Sequence, residues 1–194
     1  MKITRRHLAG ITSAAVAAGI AAVAVPRVPA AVADEPAPAE IALVWQGTAL
    51  ATVPFSPAQG LYLSFTSTAV DRAVHQSLKR ATSSETAAVA QAAHDVLVEY
   101  FPAASAALNT ALADSLARVP DGPAKARGVA VGAEAADDLI ASRVGDGRDD
   151  SSIVYSAEPG IGVWTDSRPM AVAWYGFVDR ILADPEHRTV SLRD

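Results

Sequence analysis

Apolar residues recur at three- and four-residue steps through most of this chain, and that period predicts an all-α fold, a bundle of about five to six helices. The clearest stripe is Val89, Ala92, Ala93, Val96, Leu97, Tyr100 and Phe101, preceded by Thr82-Ser83-Ser84-Glu85 and stopped by Pro102. That preface predicts a capping box, with the Thr82 hydroxyl and the Glu85 carboxylate each accepting from an orphan backbone N–H. A second stripe, Leu108, Ala111, Leu112, Ser115, Leu116 and Val119, runs to Pro120-Asp121-Gly122-Pro123, a turn that opens another helix. From Pro123 to about Arg143 the facing positions are Gly128, Val131, Gly132, Ala135, Ala136, Leu139 and Ile140. Such small residues on a packing face let two helix backbones approach closely. The same glycine spacing occurs in membrane helix dimers, but Lys125, Arg127, Glu134, Asp137 and Asp138 surround it, so close packing within a water-soluble bundle is expected.

Either side of this region the pattern is weaker. Ile41 to Ala51 is a short apolar segment before Pro54, three helical turns at most. Ser56-Pro57 offers an N-cap followed by proline at the first helical position, which predicts a helix from Pro57 to about Arg80. That helix would bury Leu61, Phe65, Thr68, Ala69, part of Arg72, and Val74 or Leu78, although Ser64, Thr66, Ser67 and Thr68 lower its propensity. After Gly145 the period disappears, and Ser151 to Met170, with Tyr155 and Trp164, reads as an irregular loop. A last short helix is expected to hold Val172, Trp174, Tyr175, Phe177, Val178 and Ile181 before Asp184-Pro185.

The front of the chain is an address and not part of the fold. Lys2, Arg5 and Arg6 precede an apolar run from Leu8 to Val25, and Ala31-Val32-Ala33 supplies a small-residue cleavage site, so residues 1–33 read as an export signal cut after Ala33. The paired Arg5 and Arg6 followed by Leu8, with an Ala/Gly-rich core, resemble a twin-arginine signal, which exports folded proteins. An uncleaved membrane anchor is the alternative, since the run is close to the roughly 20 residues that span a bilayer. Residues 34–40, Asp-Glu-Pro-Ala-Pro-Ala-Glu, read as a disordered or extended tether. A helical domain from 41 to 184 and a polar tail from 185 to 194 complete the organisation.

Composition narrows the chemistry. There is no cysteine among the 194 residues, which excludes disulfides, thiolate metal sites, cysteine nucleophiles and a lipidated cysteine. Of 16 basic residues, four lie in the signal, while all 21 acidic ones lie beyond it, leaving a net charge of −9. That balance argues against nucleic acid or an anionic membrane surface as a partner. Among the four histidines, His7 is in the signal and His187 in the tail. His94-Asp95 lies on the flank of its helix, where a solvated or interface histidine is expected, and His75 pairs with Asp71 at a four-residue step. No zinc-helix spacing is present. Asp146-Gly147-Arg148-Asp149-Asp150 lacks the ligand pattern of a calcium loop and reads as a solvated turn. Asp137 and Asp138, being neighbours on a helix, do not form a catalytic carboxylate pair, and no nucleophile elbow or phosphate loop occurs.

Glu85 to Pro102, the stretch Val119-Pro120-Asp121-Gly122-Pro123-Ala124-Lys125 and the helix beginning Gly128-Val129-Ala130-Val131-Gly132 together resemble one family. Pro159-Gly160-Ile161-Gly162-Val163-Trp164 and Trp174-Tyr175-Gly176-Phe177-Val178 extend the likeness. It is to the N-terminal helical region of bacterial vanadium-dependent haloperoxidase-like proteins, relatives of the type 2 phosphatidic acid phosphatases. The resemblance implies an α-helical bundle whose later half holds vanadate or phosphate through a lysine, arginines and backbone amides. There, one histidine bonds the metal or attacks phosphorus, and a second histidine assists.

The family's pocket signature is a lysine with Arg-Pro downstream, a Ser-Gly-His segment, and an arginine and a histidine close together on a last helix. This chain has Arg168-Pro169, but no lysine follows Lys125, no Ser-Gly-His occurs, and His187-Arg188 stands near the end. No residue is therefore assigned a catalytic, cofactor-binding or metal role. The expectation is an exported, non-catalytic helical domain equivalent to that family's first half, taking vanadate or phosphate only if a catalytic half completes it. Two further readings stay open. One is part of a split or incomplete enzyme needing a separately encoded second chain. The other is an extracytoplasmic protein-interaction module or homo-oligomer, touching a membrane only through an uncleaved signal.

Overall fold

Five α-helices carry the fold: α1 (Pro38–Thr52), α2 (Gln59–Lys79), α3 (Glu85–Tyr100), α4 (Ser105–Ala117) and α5 (Pro123–Ser142). Short 3-10 turns lie at Pro102–Ala104 and Ala173–Phe177. This computed structural model describes residues 35–80, 82–154, 156, 158, 160, 161, 163 and 172–181. Among them the chain is all helical, with no strand. The export signal with Arg5, Arg6, Ala31 and Ala33, Tyr155, Trp164, Arg168-Pro169 and the 185–194 tail lie outside the described residues.

Local chemistry shifts three helix starts from where the sequence pattern put them. The segment read as a tether through residue 40 instead supplies the first turn of α1, because Pro38 sits where a helix needs no N–H. Ahead of it, Glu35 and Pro36 are tied down: the Ser84 hydroxyl donates to Glu35 and that of Thr86 donates to the Pro36 carbonyl at 2.7 Å. The helix that follows runs 15 residues, longer than three turns. At the second start, Ser56 does not cap. Its carbonyl accepts from Gln59 N–H at 3.0 Å, closing a turn that delays α2 to Gln59. The third shift moves the α3 cap from Thr82 to Ser84, whose Oγ accepts from Ala87 N–H at 3.0 Å. Thr82 instead adopts a left-handed φ of 73°, and the Arg127 guanidinium donates twice to its carbonyl, at 2.8 and 3.1 Å.

The hydroxyl-rich face of α2 stays helical because each hydroxyl bonds the carbonyl one turn back: Ser64 to Gly60, Thr66 to Tyr62, Ser67 to Leu63 and Thr68 to Ser64. Leu61, Phe65, Thr68 and Ala69 are buried as expected, whereas Leu78 is exposed.

α3 is the axis of the bundle. It packs against α1, α2, α4 and α5, so burial extends well beyond one stripe to Thr86, Ala87, Ala88, Ala90 and His94. A helix enclosed on nearly every side needs small apolar residues all round, which accounts for its alanine content. Contacts along the helices show α1, α3 and α5 pointing one way and α2 and α4 the other.

The α3–α5 contact is made by the glycines. A Cβ on Gly128 would lie 2.3 Å from the Ser84 carbonyl oxygen, and one on Gly132 would lie 2.4 Å from that of Ala88. Lys125 secures the turn before α5, donating to Asp121 at 2.8 Å and to the Val119 carbonyl. Leu61, Phe65, Val96, Val131 and Leu139 form one part of the core. Ile41, Trp45, Val89, Leu97 and Leu108 form the other.

Candidate functional site

Two clusters of polar and ionisable side chains are buried in this bundle. The larger stands at the end where α2 begins and α3 and α5 finish. Tyr62 and Phe65 occupy the first two turns of α2, one helical step apart, and Tyr100 is the last residue of α3. Their rings pack at tilted or edge-on angles, with centroids 5.4 to 5.8 Å apart.

Over those rings lies the Arg148 guanidinium, its Cζ 6.0 Å from the Tyr62 centroid, 5.0 Å from Phe65 and 4.9 Å from Tyr100. A guanidinium at that distance is attracted by the negative ring faces. Its Nε donates to Asp146 Oδ1 at 2.9 Å, its backbone N–H to the same oxygen at 3.1 Å, and Nη2 to the Arg143 carbonyl at 3.0 Å.

The reading of residues 146–150 as a solvated turn holds for the exposed Asp149 and Asp150 but not for Asp146. Asp146 is 3 % exposed and Arg143 6 %. The carboxylate can be buried because two guanidiniums flank it, Arg148 in contact and Arg143 Nη1 at 3.9 Å from Oδ2. The loop also holds the C-terminal segment: Asp179 N–H donates to the Asp146 carbonyl, and Arg143 Nη1 donates to the Asp179 carbonyl, both at 2.8 Å. Gly147, with φ of 86°, passes so close that a Cβ would stand 3.1 Å from the Phe177 carbonyl. Trp174, Val178 and Ile181 thereby pack on the core. The helix expected there is a single 3-10 turn, Ala173–Phe177.

Electrostatics at this end favour neutral phenols beside a charged guanidinium. Burial raises the pKa of Tyr62 and of Tyr100, and the nearby Arg148 charge only partly opposes it. Burial works against the Arg148 charge, but the Asp146 hydrogen bond and the neighbouring groups outweigh it and leave that pKa raised.

The second cluster is centred on His94, and of the expected solvated or interface histidine the structure shows the second, between α1, α3 and α4. Because α4 folds back on α3, His94 is buried, with Nδ1 2.7 Å from Asp95 Oδ1 and Nε2 2.8 Å from Asn109 Oδ1. Trp45 meets its ring edge-on at 6.2 Å and donates through Nε1 to Ser115 Oγ at 3.2 Å. The Gln91 amide donates to both Asp95 oxygens. The His94 pKa is raised, foremost by the hydrogen bond to Asp95; burial opposes this, and Asn109 and the Asp95 charge add to it.

Other singled-out residues stay apart from both clusters. His75 lies 3.4 Å from Asp71 on the exposed face of α2, a surface pair as the spacing predicts. Asp137 and Asp138 are both exposed, and Gln76 reaches only the second. Among the described residues no group of three or more His, Cys, Asp or Glu side chains could hold a metal ion, and no helix is long and apolar enough to cross a membrane.

Sequence reasoning missed Arg143 and Asp146 as buried groups and the half-buried Arg148 beside them. The available signal was the aromatic spacing Tyr62, Phe65, Tyr100, which predicts a ring cluster but not the cation that would cover it. Compared with protein-family models, with curated proteins and with solved structures, the chain matches none. Both His94 ring nitrogens are engaged, and Arg148 is held by a carboxylate, a carbonyl and three rings, whereas Tyr100 Oη and Asp146 Oδ2 are buried without a hydrogen-bond partner among the described residues. The engaged groups tie α3 to α4 at one cluster and the loop after α5 to the rings of α2 and α3 at the other.

Proposed function

We propose that this chain is an exported, non-catalytic helical module that acts by contact, of the same helical kind as the N-terminal half of haloperoxidase-like and acid phosphatase proteins. The observation that carries the non-catalytic part is the engagement of the Arg148 guanidinium and both His94 ring nitrogens by their own neighbours. An oxyanion site needs several fixed donors left free to converge on the ligand. Support for action by contact comes from α1, which buries Ile41, Trp45 and Ala49 on one face yet exposes Leu43, Val44 and Leu50 on the other.

The test is enzymatic. With vanadate added, the purified chain should oxidise bromide and chloride no faster than vanadate alone, and without vanadate it should not hydrolyse a chromogenic phosphomonoester above background. Turnover that co-purifies with the chain and is lost in an Arg148→Met or His94→Gln variant that still folds would overturn the proposal. A second reading, one part of a split enzyme, is favoured by the exposed Tyr175 and Phe177 on the segment pinned by Asp146. It predicts vanadate-dependent activity only on mixing with a second chain that supplies the Ser-Gly-His and arginine–histidine segments.

A further inference from the structure

Residues 172–181 are attached to the molecule differently from its helices. Each of α1 to α5 contains fully buried residues, whereas none of 172–181 is buried: Trp174, Val178, Asp179 and Ile181 are half-buried, and Tyr175, Phe177 and Arg180 are exposed. A single 3-10 turn shapes the segment, with Tyr175 N–H donating to the Val172 carbonyl at 3.0 Å. Its grip on the end of α5 converges on one residue. Asp179 N–H donates to the Asp146 carbonyl and Arg143 Nη1 donates to the Asp179 carbonyl, both at 2.8 Å. Around that point Trp174, Val178 and Ile181 pack on the core from the side, and Tyr175 Oη reaches α2, where a Cβ on Gly60 would stand 3.9 Å from it.

The residues that hold Asp179 are themselves incompletely satisfied. Asp146 Oδ1 accepts twice from Arg148, but the buried Oδ2 has no hydrogen-bond partner among the described residues, and Arg143 Nη1 stands 3.9 Å from it. A buried carboxylate oxygen without a donor loses its hydration and regains little, which makes the closed arrangement shallow. Few main-chain bonds and little buried apolar surface put a segment at the low-stability end of a fold. We infer that residues 172–181 are a strap, latched at Asp179 by Arg143 and Asp146, that opens as a unit while α1 to α5 stay folded. Opening withdraws Trp174, Val178 and Ile181 from the core. Arg148 stays seated, because its contacts are with Asp146, Arg143 and the rings of α2 and α3.

The experiment is native-state hydrogen exchange, read residue by residue by NMR on the purified chain at a series of urea concentrations below the unfolding transition. The amides of Tyr175 and Asp179 report the strap, and those of Leu97 and Leu139, inside α3 and α5, report the bundle. Opening the strap exposes little surface, so its exchange should hardly respond to urea. Tyr175 and Asp179 should exchange at least roughly a hundredfold faster than Leu97 and Leu139, yet more slowly than unprotected amides.

Two variants separate strap from bundle. Arg143→Met removes a bond made only in the closed state, so exchange at Asp179 should rise about tenfold or more, the scale of a lost hydrogen bond from a charged donor. Gly132→Ala forces α3 and α5 apart whether the strap is open or closed. Leu97 and Leu139 should then exchange roughly thirtyfold faster, as the overpacking of two helices implies, while Asp179 keeps its rate. Should Arg143→Met fail to fold, Gly147→Ala takes its place, since its Cβ would stand 3.1 Å from the Phe177 carbonyl of the closed strap.

An Asp179 amide with the rate and urea dependence of Leu139 overturns the inference, because strap and bundle would then be one cooperative unit. So does an Asp179 amide that exchanges as in an unfolded peptide, since the strap would not be closed. Equal acceleration of Asp179 and Leu139 by Gly132→Ala, or an unchanged Asp179 in the latch variant, refutes it as well. None of these results would touch the non-catalytic proposal, which fails only on the turnover assay.

Discussion

Replacing Gly132 by alanine tests whether α3 and α5 are held as close as their backbones suggest. The new Cβ would lie 2.4 Å from the Ala88 carbonyl oxygen, 2.7 Å from Gln91 Cβ and 3.0 Å from Ala92 N. Two of those three atoms belong to the backbone, so no side-chain rotation relieves the clash and the helices must part. A gap of about 0.5–1 Å forfeits roughly a quarter to a half of each dispersion contact across it. Overpacking of this kind costs about 1–3 kcal/mol, and the rigid backbone obstacle puts Gly132 at the upper end. Against this, alanine in a helix interior gains about 1 kcal/mol over glycine.

The net expectation is a loss of about 2 kcal/mol, or roughly 4–8 °C in Tm for a domain of this size. Gly47→Ala is the internal control. It makes the same chemical change in a helix, but into open space, so it should gain about 1 kcal/mol and raise Tm by roughly 2–4 °C. Urea unfolding followed by circular dichroism at 222 nm, with calorimetry for Tm, reads both variants. The double variant Gly128→Ala with Gly132→Ala should lose less than the sum of the singles, since one separation of the helices accommodates both. If Gly132→Ala matched the stabilisation of Gly47→Ala, the close-approach argument would be wrong.

Two further predictions concern the buried clusters. Arg148→Met strips Asp146 of its closest counter-ion and should cost about 3 kcal/mol, the usual scale for breaking a buried pair; adding Asp146→Asn should restore part of the loss in a double-mutant cycle by urea unfolding. For His94 the folded-state pKa is raised above an unfolded value near ~6.5. The stability it contributes is therefore fully present below that value and is lost as pH rises through the folded one. Unfolding free energies between pH 5 and 9 should show that decline in the wild type, and His94→Gln should flatten it; an unchanged slope would remove His94 as its source.

Much of the bundle could be read in the chain because helix period and helix breakers are local. The Val131, Ala135, Ala136, Leu139 face of α5 and its two glycines needed only spacing and residue size. Pro102 and the Pro120-Asp121-Gly122-Pro123 turn likewise ended helices through their own backbone restrictions. Cap choice was harder. Thr82, Ser83 and Ser84 all offer hydroxyls, and which one meets a free N–H depends on how the incoming chain is turned. Here the Arg127 bonds hold Thr82 in a left-handed turn and leave Ser84 at the helix start.

By itself, then, the sequence determined the fold class, the order of the helices and the face of α5 that packs, since each depends on residues a turn or two apart. Tertiary structure alone decided the fate of the charged groups. His94 is enclosed because α4 returns with Asn109, and Asp146 because Arg148 reaches rings supplied by α2 and α3. The free energy of burying a charge depends on partners tens of residues away, so no local pattern could report it.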